Sequence, residues 1–557
     1  MTMQDIWDID CHTMFNSFKN FFLFHKSDDG PFGGLVFGRP STKQIVQVIF
    51  VNSDSMNAAT IEFITSSLSA DLEHVGNLVV EGHNLPMIGD GFVLNTTQEA
   101  LERNSVSEFL DRNGMLNSTR FNNDGLSVWA KIGFECNIRK KKESDDLKIN
   151  AERFISDLDR LVFINQSKGI ILRNVPEKDI VRNVVRDIAK GSSQYKDSLG
   201  FTTLHNLTRN TSNDKEDQKM VPIVRITRDG TEFEKLSTLF TVVVPAFSED
   251  DSNTLYKRFQ EGVRRRIQNL VYTLINGFKK QKADQATLST VFYPPGWTTL
   301  LHLQMPQWTD EEQRTYRIKL HKLFNLPTAV PCLRLAQQIP FGGAASTKLL
   351  RSPHLSIVNY KPYGKVSVLS GPYNYHHYMQ DNFDDSGWGC AYRSLQTIWS
   401  WFALNGYTDK PVPNHREIQQ CLVNIGDKQE KFVGSKQWIG STEIGFVLDT
   451  LLGVESKFII TNSGAEVAER ARELSFHFDT AGTPVMIGGG QLAHTILGVD
   501  FDENTGDCRF LVLDPHFTGE EDLRKIINKY CAWMPATFWK ADYFYNMVLP
   551  QPPSNAI

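Results

Sequence analysis

The feature that most constrains this chain is a junction at residue 390. Asp384-Asp385-Ser386-Gly387-Trp388-Gly389 leads directly into Cys390, and apolar residues at 391, 395, 398, 399 and 402 then follow helical spacing. Cys390 is therefore predicted to begin a helix. There the unpaired N–H groups and the helix dipole favour a thiolate, and a thiol pKa of about 8.5 can fall to roughly 3.5 to 7.5. The two glycines let a substrate approach the backbone closely and leave the Cys390 N–H free to face an oxyanion. The other six cysteines, Cys11, Cys136, Cys332, Cys421, Cys508 and Cys531, lack such a setting and read as inert core residues.

A thiolate nucleophile needs a base that also protonates the leaving amine. Asp514-Pro515-His516 stands at the end of the apolar run FLVL, a predicted strand. In extended backbone, residues two apart face the same side with Cα atoms about 6.6 to 6.8 Å apart, so Asp514 can orient His516. A D-x-H triplet is common by itself and gains weight only in the company of Cys390. A rival base, His494, lies in LAHTILGVD on another predicted strand, giving the papain order of Cys, His and then a carboxyl. At this level both assignments stand, and His494 also reads as a hydrogen-bonded strand residue beside the site.

The oxyanion needs a second donor. A papain-like enzyme places a Gln six residues before its Cys, but this chain has Asp384 there. The run Tyr375-His376-His377-Tyr378 could supply a phenol instead. His376 and His377 are adjacent and would face opposite sides of a strand, so they make a poor metal pair. There is no HExxH and no GxxxxGK[ST], and the glycines at 488–490 lack the GxGxxG spacing. Cys390, Asp514 and His516 could formally ligate zinc, but the expectation is a site with no metal and no cofactor.

Composition narrows the partners. Lys plus Arg is 59 against 64 Asp plus Glu, a net charge of −5, so the molecule as a whole has no strong field for nucleic acid, and none is expected as a partner. Seven scattered cysteines without a CxxC pair argue for a reducing compartment. The first residues, MTMQDIWDID, lack a basic region followed by an apolar run, and stretches such as LFTVVVPAF fall far short of the roughly 20 residues that span a bilayer. A cytoplasmic protein is expected.

With 557 residues, about three or four structural units are expected. Short apolar runs (GLVFG, IVQVIFV, NLVV) around a helix-like stretch near Thr60 to Leu72 predict an α+β domain. The charged segment Arg139 to Lys148 reads as an exposed loop or helix start, and Thr211 to Lys219 as a mobile loop. Leu255, Phe259, Val263, Ile267, Leu270, Leu274 and Phe278 form the stripe of an amphipathic helix. Its basic residues, Lys257, Arg258, Arg264, Arg265, Arg266, Lys279 and Lys280, read either as a solvated face or as a dock for an acidic partner or membrane surface. Toward the C-terminus, KVSVL, PVMIGGG, AHTILGVD and CRFLVL read as strands. CAYRSLQTIWSWFAL, HREIQQCLVNI and AEVAERARELSFHF read as helices.

Taken together in one order, YPPGW, SGWGCAYRSLQTIWSWF, HREIQQ, FVGSKQWIGS, TPVMIGGGQLAHTILGVD, LDPHFTGEEDL and FWKADYFYN resemble the long-form, type 2 proteases specific for ubiquitin-fold modifier 1. The resemblance covers roughly residues 293–550. It implies an α+β chain with a papain-like cysteine protease domain at its C-terminus. Cys390 would be the nucleophile, with Asp514 and His516 completing the triad and His494 becoming a neighbour. Tyr378, twelve positions before Cys390, would donate to the oxyanion. Trp388 and Trp438 would wall a cleft narrow enough to admit a glycine-ended tail. The implied activity is twofold: trimming of the modifier precursor after its C-terminal Gly, and cleavage of the isopeptide bond to a target lysine.

Long members of this family carry an MPN-like domain before the protease. Only His83 is available here for the H-x-H pair of a catalytic MPN domain, so a metal-free binding domain is expected. It would select substrates or a membrane-bound partner, such as an adaptor that recruits the protein to the cytosolic face of the endoplasmic reticulum. The expected division is an N-terminal α+β domain over 1–138, a middle region with the basic helix over 139–339, a linker over 340–354 and the protease over 355–557. Two other readings remain: an autophagy-type cysteine protease acting on a lipid-linked modifier, which shares the GWGC and DPH pattern, and an adaptor that binds the modifier without cleaving it.

Overall fold

In the computed structural model, the residues described are 6–25, 30–53, 57–83, 86–89, 91–119, 126–139, 143–165, 170–173, 199–205, 233–247, 250–277, 287–306, 310–339, 341 and 349–553. The chain forms two units, 1–328 with 338–344 and 557, and 329–337 with 345–556. The loop expected at Thr211 to Lys219 lies outside the described residues.

Two sheets dominate the N-terminal unit. The first has six strands in the order Phe92–Thr96, Glu73–Val80, Phe32–Arg39, Gln44–Asn52, Trp7–Ile9 and Leu116–Ser118. All eight residues of Phe32–Arg39 are buried, as a central strand covered on both faces requires. The helix Cys11–Phe24 is capped by the Asp10 carboxylate, which accepts from the His12 and Thr13 N–H groups. It buries Met14, Phe15, Phe18 and Phe21 in the core shared with this sheet. The helix expected near Thr60 to Leu72 runs from Ala58 to Ser67; the Ser66 and Ser67 hydroxyls bond back to the Phe63 carbonyl, and Leu68 turns extended.

The second sheet orders Phe233–Ala246, Leu126–Arg139, Leu199–His205, Leu161–Asn165 and Ile170–Leu172. Leu126–Arg139 pairs along its whole length with Phe233–Ala246, so it joins the first 138 residues to the segment after them. Charged residues from 143 onward form the helix Glu143–Ser156.

The amphipathic helix spans Ser252–Tyr272 and buries Leu255, Phe259, Val263, Ile267 and Leu270 of the predicted stripe; Leu274 is half-buried beyond its end, and Phe278 lies outside the described residues. Its basic face departs from both readings. The Arg265 guanidinium is buried and donates to the Ser69 and Leu72 carbonyls at 2.7 and 2.8 Å, Arg266 donates to the Ser66 carbonyl, and Arg258 pairs with Asp250. Arg265 and Arg266 thus bond carbonyls at and just after the end of the neighbouring helix, which sequence periodicity cannot reveal. Only Lys257 and Arg264 are exposed, while Lys279 and Lys280 lie outside the described residues.

The C-terminal unit sets one buried helix, Cys390–Leu404, against a seven-stranded antiparallel sheet. Every residue from Cys390 to Phe402 is buried, so the helix is enclosed on all sides. Neighbouring carbonyls take up two of its polar side chains: Gln396 donates to the Pro413 carbonyl at 2.9 Å and Trp399 to the Lys410 carbonyl at 3.2 Å. The sheet order is Ser456–Thr461, Tyr545–Pro550, Val485–Gly489, Leu492–Phe501, Cys508–Leu513 and Cys531–Pro535, with Lys365–Val368 paired to Leu492–Phe501. The helix packs on the hairpin Val485–Gly489 and Leu492–Phe501. The stretch read as one helix from Ala465 is two, Gly464–Glu469 and Ala471–Thr480, broken where Arg470 leaves helical geometry.

Candidate active site

Cys390 is the first residue of its helix, and Gly389, with no side chain to offer, stands at the cap. The orphaned amide groups of the first turn therefore stay available. Gly389 is also fixed sterically: a Cβ there would lie 2.3 Å from the Asp385 carboxylate. Asp514 follows directly on the strand Cys508–Leu513, whose neighbour Leu492–Phe501 packs against the Cys390 helix. The sheet thus brings the Asp-Pro-His turn to the helix start across more than a hundred residues of chain.

The Asp514 Oδ1 atom lies 2.5 Å from His516 Nδ1 and also accepts the His516 backbone N–H at 2.9 Å. Since the carboxylate can only accept, Nδ1 carries a proton and Nε2 is left for Cys390. Nε2 is buried and makes no hydrogen bond of ordinary length and angle, while the imidazole interacts electrostatically with Cys390.

The electrostatics separate Cys390 from every other cysteine. Burial raises the thiols of Cys11, Cys136, Cys332, Cys421, Cys508 and Cys531, to about 12 at Cys332 and Cys531. Burial opposes ionisation at Cys390 as well. The His516 imidazole, the Tyr378 hydroxyl and the Ala493 backbone outweigh it and hold this thiol below its ordinary value. His516 shows the complement: burial pulls it down, but Asp514 and Cys390 push it up to about 9. Each group therefore favours the charged form of the other.

His494 sits beside this pair with its ring 5.3 Å from that of His516. Burial pulls it down to about 4, which keeps it neutral at pH 7. His494, Asp514 and His516 also bring one ligand atom each to within 4.8 Å of one another, although Nδ1 of His516 is already committed to the carboxylate. The sequence left His494 and His516 as rival bases, and the geometry pairs Asp514 with His516.

Tyr378 is held by its own N–H, which donates to the Pro515 carbonyl at 2.9 Å, and its ring meets that of His516 edge-on at 5.2 Å. Its hydroxyl interacts with both the sulfur and the backbone of Cys390, and burial followed by the Cys390 charge raises the phenol, so it stays protonated as a donor. The Tyr378 hydroxyl and the Cys390 backbone therefore lie together beside one sulfur.

A cleft of about 510 Å³ opens at Cys390, lined by Trp388, Trp438, Gly488, Gly489, Gly490 and Ala493 among others. Trp388 is buried, whereas Trp438 is half exposed and anchors its indole N–H on the Gly387 carbonyl at 3.2 Å. Gly490 turns the hairpin with φ 61°, and a Cβ there would lie 2.4 Å from the Tyr543 ring. Backbone therefore forms part of the cleft wall, which suits an extended peptide without side chains at the reacting end.

One cluster escaped the sequence reading. Asp385 is fully buried and accepts from Arg393 Nε at 2.7 Å, His415 Nε2 at 3.0 Å and the Met379 N–H at 2.9 Å. The available signal was Arg393 itself, a cation inside an otherwise apolar helical segment.

The wider family agrees with this geometry. Residues 364–548 match Peptidase family C78, and residues 33–115 match the Ufm1 specific protease UfSP N-terminal MPN domain. A Ufm1-specific protease of Caenorhabditis elegans is 52% identical over 100% of this chain and 96% of its own length. Ufm1-specific protease 2 of Homo sapiens is 38% identical over 68% of this chain and 80% of its own. The crystal structure of UfSP from C. elegans superposes with a TM-score of 0.83 at 47% identity, covering 99% of this chain and 100% of that one. A cysteine peptidase domain behind an MPN-like domain, matched end to end, places this chain in the Ufm1-specific protease family.

Proposed function

We propose that the chain is a thiol protease that trims the precursor of ubiquitin-fold modifier 1 after its C-terminal Gly and hydrolyses the isopeptide bond joining that Gly to a lysine. The observation that carries this reading is the lowered Cys390 thiol beside the raised His516 imidazole at the mouth of a glycine-walled cleft. The relatives' printed specificity supports the choice of modifier over a lipid-linked one.

In this reading the Cys390 thiolate attacks the glycine carbonyl carbon, and the negative charge moves to the carbonyl oxygen. The Tyr378 hydroxyl and the Cys390 N–H receive that charge. His516, protonated on both nitrogens, gives its Nε2 proton to the leaving amine as the C–N bond breaks. The resulting thioester is then attacked by water, which gives one proton to His516; the C–S bond breaks, the new C-terminal acid loses its proton to solvent, and the thiolate and imidazolium are restored. Asp514 keeps the ring oriented and balances the imidazolium throughout. Trp388 and Trp438 flank the tail.

Incubation with purified precursor and mass analysis of both fragments tests this. One cut directly after the glycine is expected, and a cut elsewhere or none overturns it. Labelling with modifier bearing a C-terminal electrophile excludes a pure adaptor if a thioether forms at Cys390.

We also assign the N-terminal unit a recruiting role, through an adaptor on the cytosolic face of the endoplasmic reticulum, for a protein that is otherwise cytoplasmic. The MPN match over residues 33–115 supports a binding domain there. Fractionation tests it: the full chain is expected to sediment with these membranes and to be released without detergent, and recovery only in the soluble fraction would refute it.

A further inference from the structure

Asp385 takes part in no chemical step, yet it touches both halves of the oxyanion apparatus. Its Oδ1 accepts the Met379 N–H at 2.9 Å, directly after Tyr378. Its Oδ2 accepts from Arg393, on the Cys390 helix, at 2.7 Å, and its carbonyl accepts the Gly389 N–H at 2.8 Å. Arg393 in turn donates to the Gln380 carbonyl at 3.1 Å.

The segment so held is strained. Met379, Asp381 and Asn382 have φ of 63°, 60° and 56°, the left-handed region that side chains disfavour. Such residues persist only where the surroundings over-determine them. Here the surroundings include the enclosed Asp385 carboxylate and Arg393 guanidinium, together with Glu521 on the Gln380 side chain and the Pro515 carbonyl on the Tyr378 N–H.

We propose that Asp385 is a positioning residue for the hydrolytic reaction: its carboxylate clamps the Tyr378–Met379 turn to the start of the Cys390 helix and so sets the Tyr378 hydroxyl against the Cys390 N–H. This rests on the roles given above to Cys390 and Tyr378. A negative charge is needed because the two oxygens meet three donors, one of them a cation. An amide at 385 must turn its NH₂ toward either Arg393 or the Met379 N–H. Facing the backbone costs less than facing the cation, so the clamp on Met379 is the contact that fails.

The test is a double-mutant cycle in the full chain, with modifier precursor as substrate and iodoacetamide as the probe of Cys390. Asp385→Asn is expected to lower kcat about 100-fold with KM nearly unchanged, because a misplaced donor costs transition-state binding only. Alkylation of Cys390 by iodoacetamide forms no oxyanion and should stay within about threefold of the parent. In a Tyr378→Phe background the same substitution should cost less than about threefold further. Met379→Gly, which adopts the left-handed turn unaided, should restore about tenfold to Asp385→Asn. Equal losses in both backgrounds, alkylation falling in step with turnover, or no rescue by Met379→Gly would each overturn the clamp. If Tyr378→Phe keeps full activity, the oxyanion assignment itself is wrong and the clamp falls with it. If Tyr378→Phe is impaired and Asp385→Asn is not, the clamp alone is wrong. Should Asp385→Asn not fold, Arg393→Lys, which keeps the cation but loses the fork to Gln380, must show the same kcat loss and the same non-additivity.

Discussion

A single oxygen of Asp514 holds His516 twice, through the ring Nδ1 at 2.5 Å and through the backbone N–H at 2.9 Å. The same atom therefore sets both the shape of the Asp-Pro-His turn and the direction of Nε2. Asp514→Asn can satisfy the backbone N–H with its remaining oxygen, but the ring then loses either its tautomer or its orientation. Turnover of precursor should fall by about 10⁴-fold, as other acid–imidazole–nucleophile sites lose on this change. Cys390→Ser should abolish turnover yet keep modifier binding, measured by calorimetry on the same preparation.

The pH profile of kcat/KM should be a bell whose limbs belong to the coupled Cys390–His516 pair. Cys390 is lowered, so the acid limb lies below the ordinary thiol value: as pH falls through it, the thiolate is protonated and activity is lost. His516 is raised, so the alkaline limb lies near 9: as pH rises through it, the proton for the leaving amine is lost. In Asp514→Asn the main group raising the imidazole is gone, and the residual activity should show its alkaline limb at lower pH. An alkaline limb that stays near 9 in that variant would mean another group carries it.

His494 touches the pair without belonging to it. Burial keeps it neutral down to about 4, so it supplies no proton for amine departure at neutral pH. His494→Gln should retain activity within about tenfold, whereas His516→Ala should lose about 10⁴-fold or more. The reverse ranking would transfer the acid–base role to His494.

The cleft wall makes a steric prediction. Gly490→Ala adds a Cβ at φ 61° and 2.4 Å from the Tyr543 ring, so the ring or the turn must move. The variant should raise KM for precursor well before it affects the alkylation rate of Cys390. A change in alkylation with KM intact would place Gly490 outside the path of the tail.

How much of this could be read from the chain depended on whether the signal was local. The helix start at Cys390 announced itself through Gly389 and the apolar spacing after it, and the Asp514–His516 pairing through its two-residue spacing, although a turn rather than extended backbone brings the two together. The choice between His494 and His516 was not local, because it turns on which imidazole a sheet register places beside Asp514. Asp385 was overlooked because its partners, Met379, Arg393 and His415, are brought together by packing rather than by spacing. The amphipathic stripe from Leu255 gave the buried face correctly but said nothing of Arg265 and Arg266, since periodicity counts every cation as outward-facing.

Those two arginines allow the correction to be tested by stability. Arg265 donates to the Ser69 and Leu72 carbonyls, and a methionine in its place would fill the volume but leave both acceptors buried without a donor. Burial and the neighbouring Arg265 charge already lower Arg266 well below the usual arginine value, so its charge is held at a cost. Arg265→Met should therefore destabilise the N-terminal unit by about 3 kcal/mol, read as a shift in its denaturant midpoint. Lys257→Ala and Arg264→Ala, whose side chains are exposed, should stay within about 0.5 kcal/mol of the parent. A docking face would give the opposite pattern, with Arg265→Met as stable as the parent and defective only in holding a partner. The two accounts therefore part on a measurement that needs no partner at all.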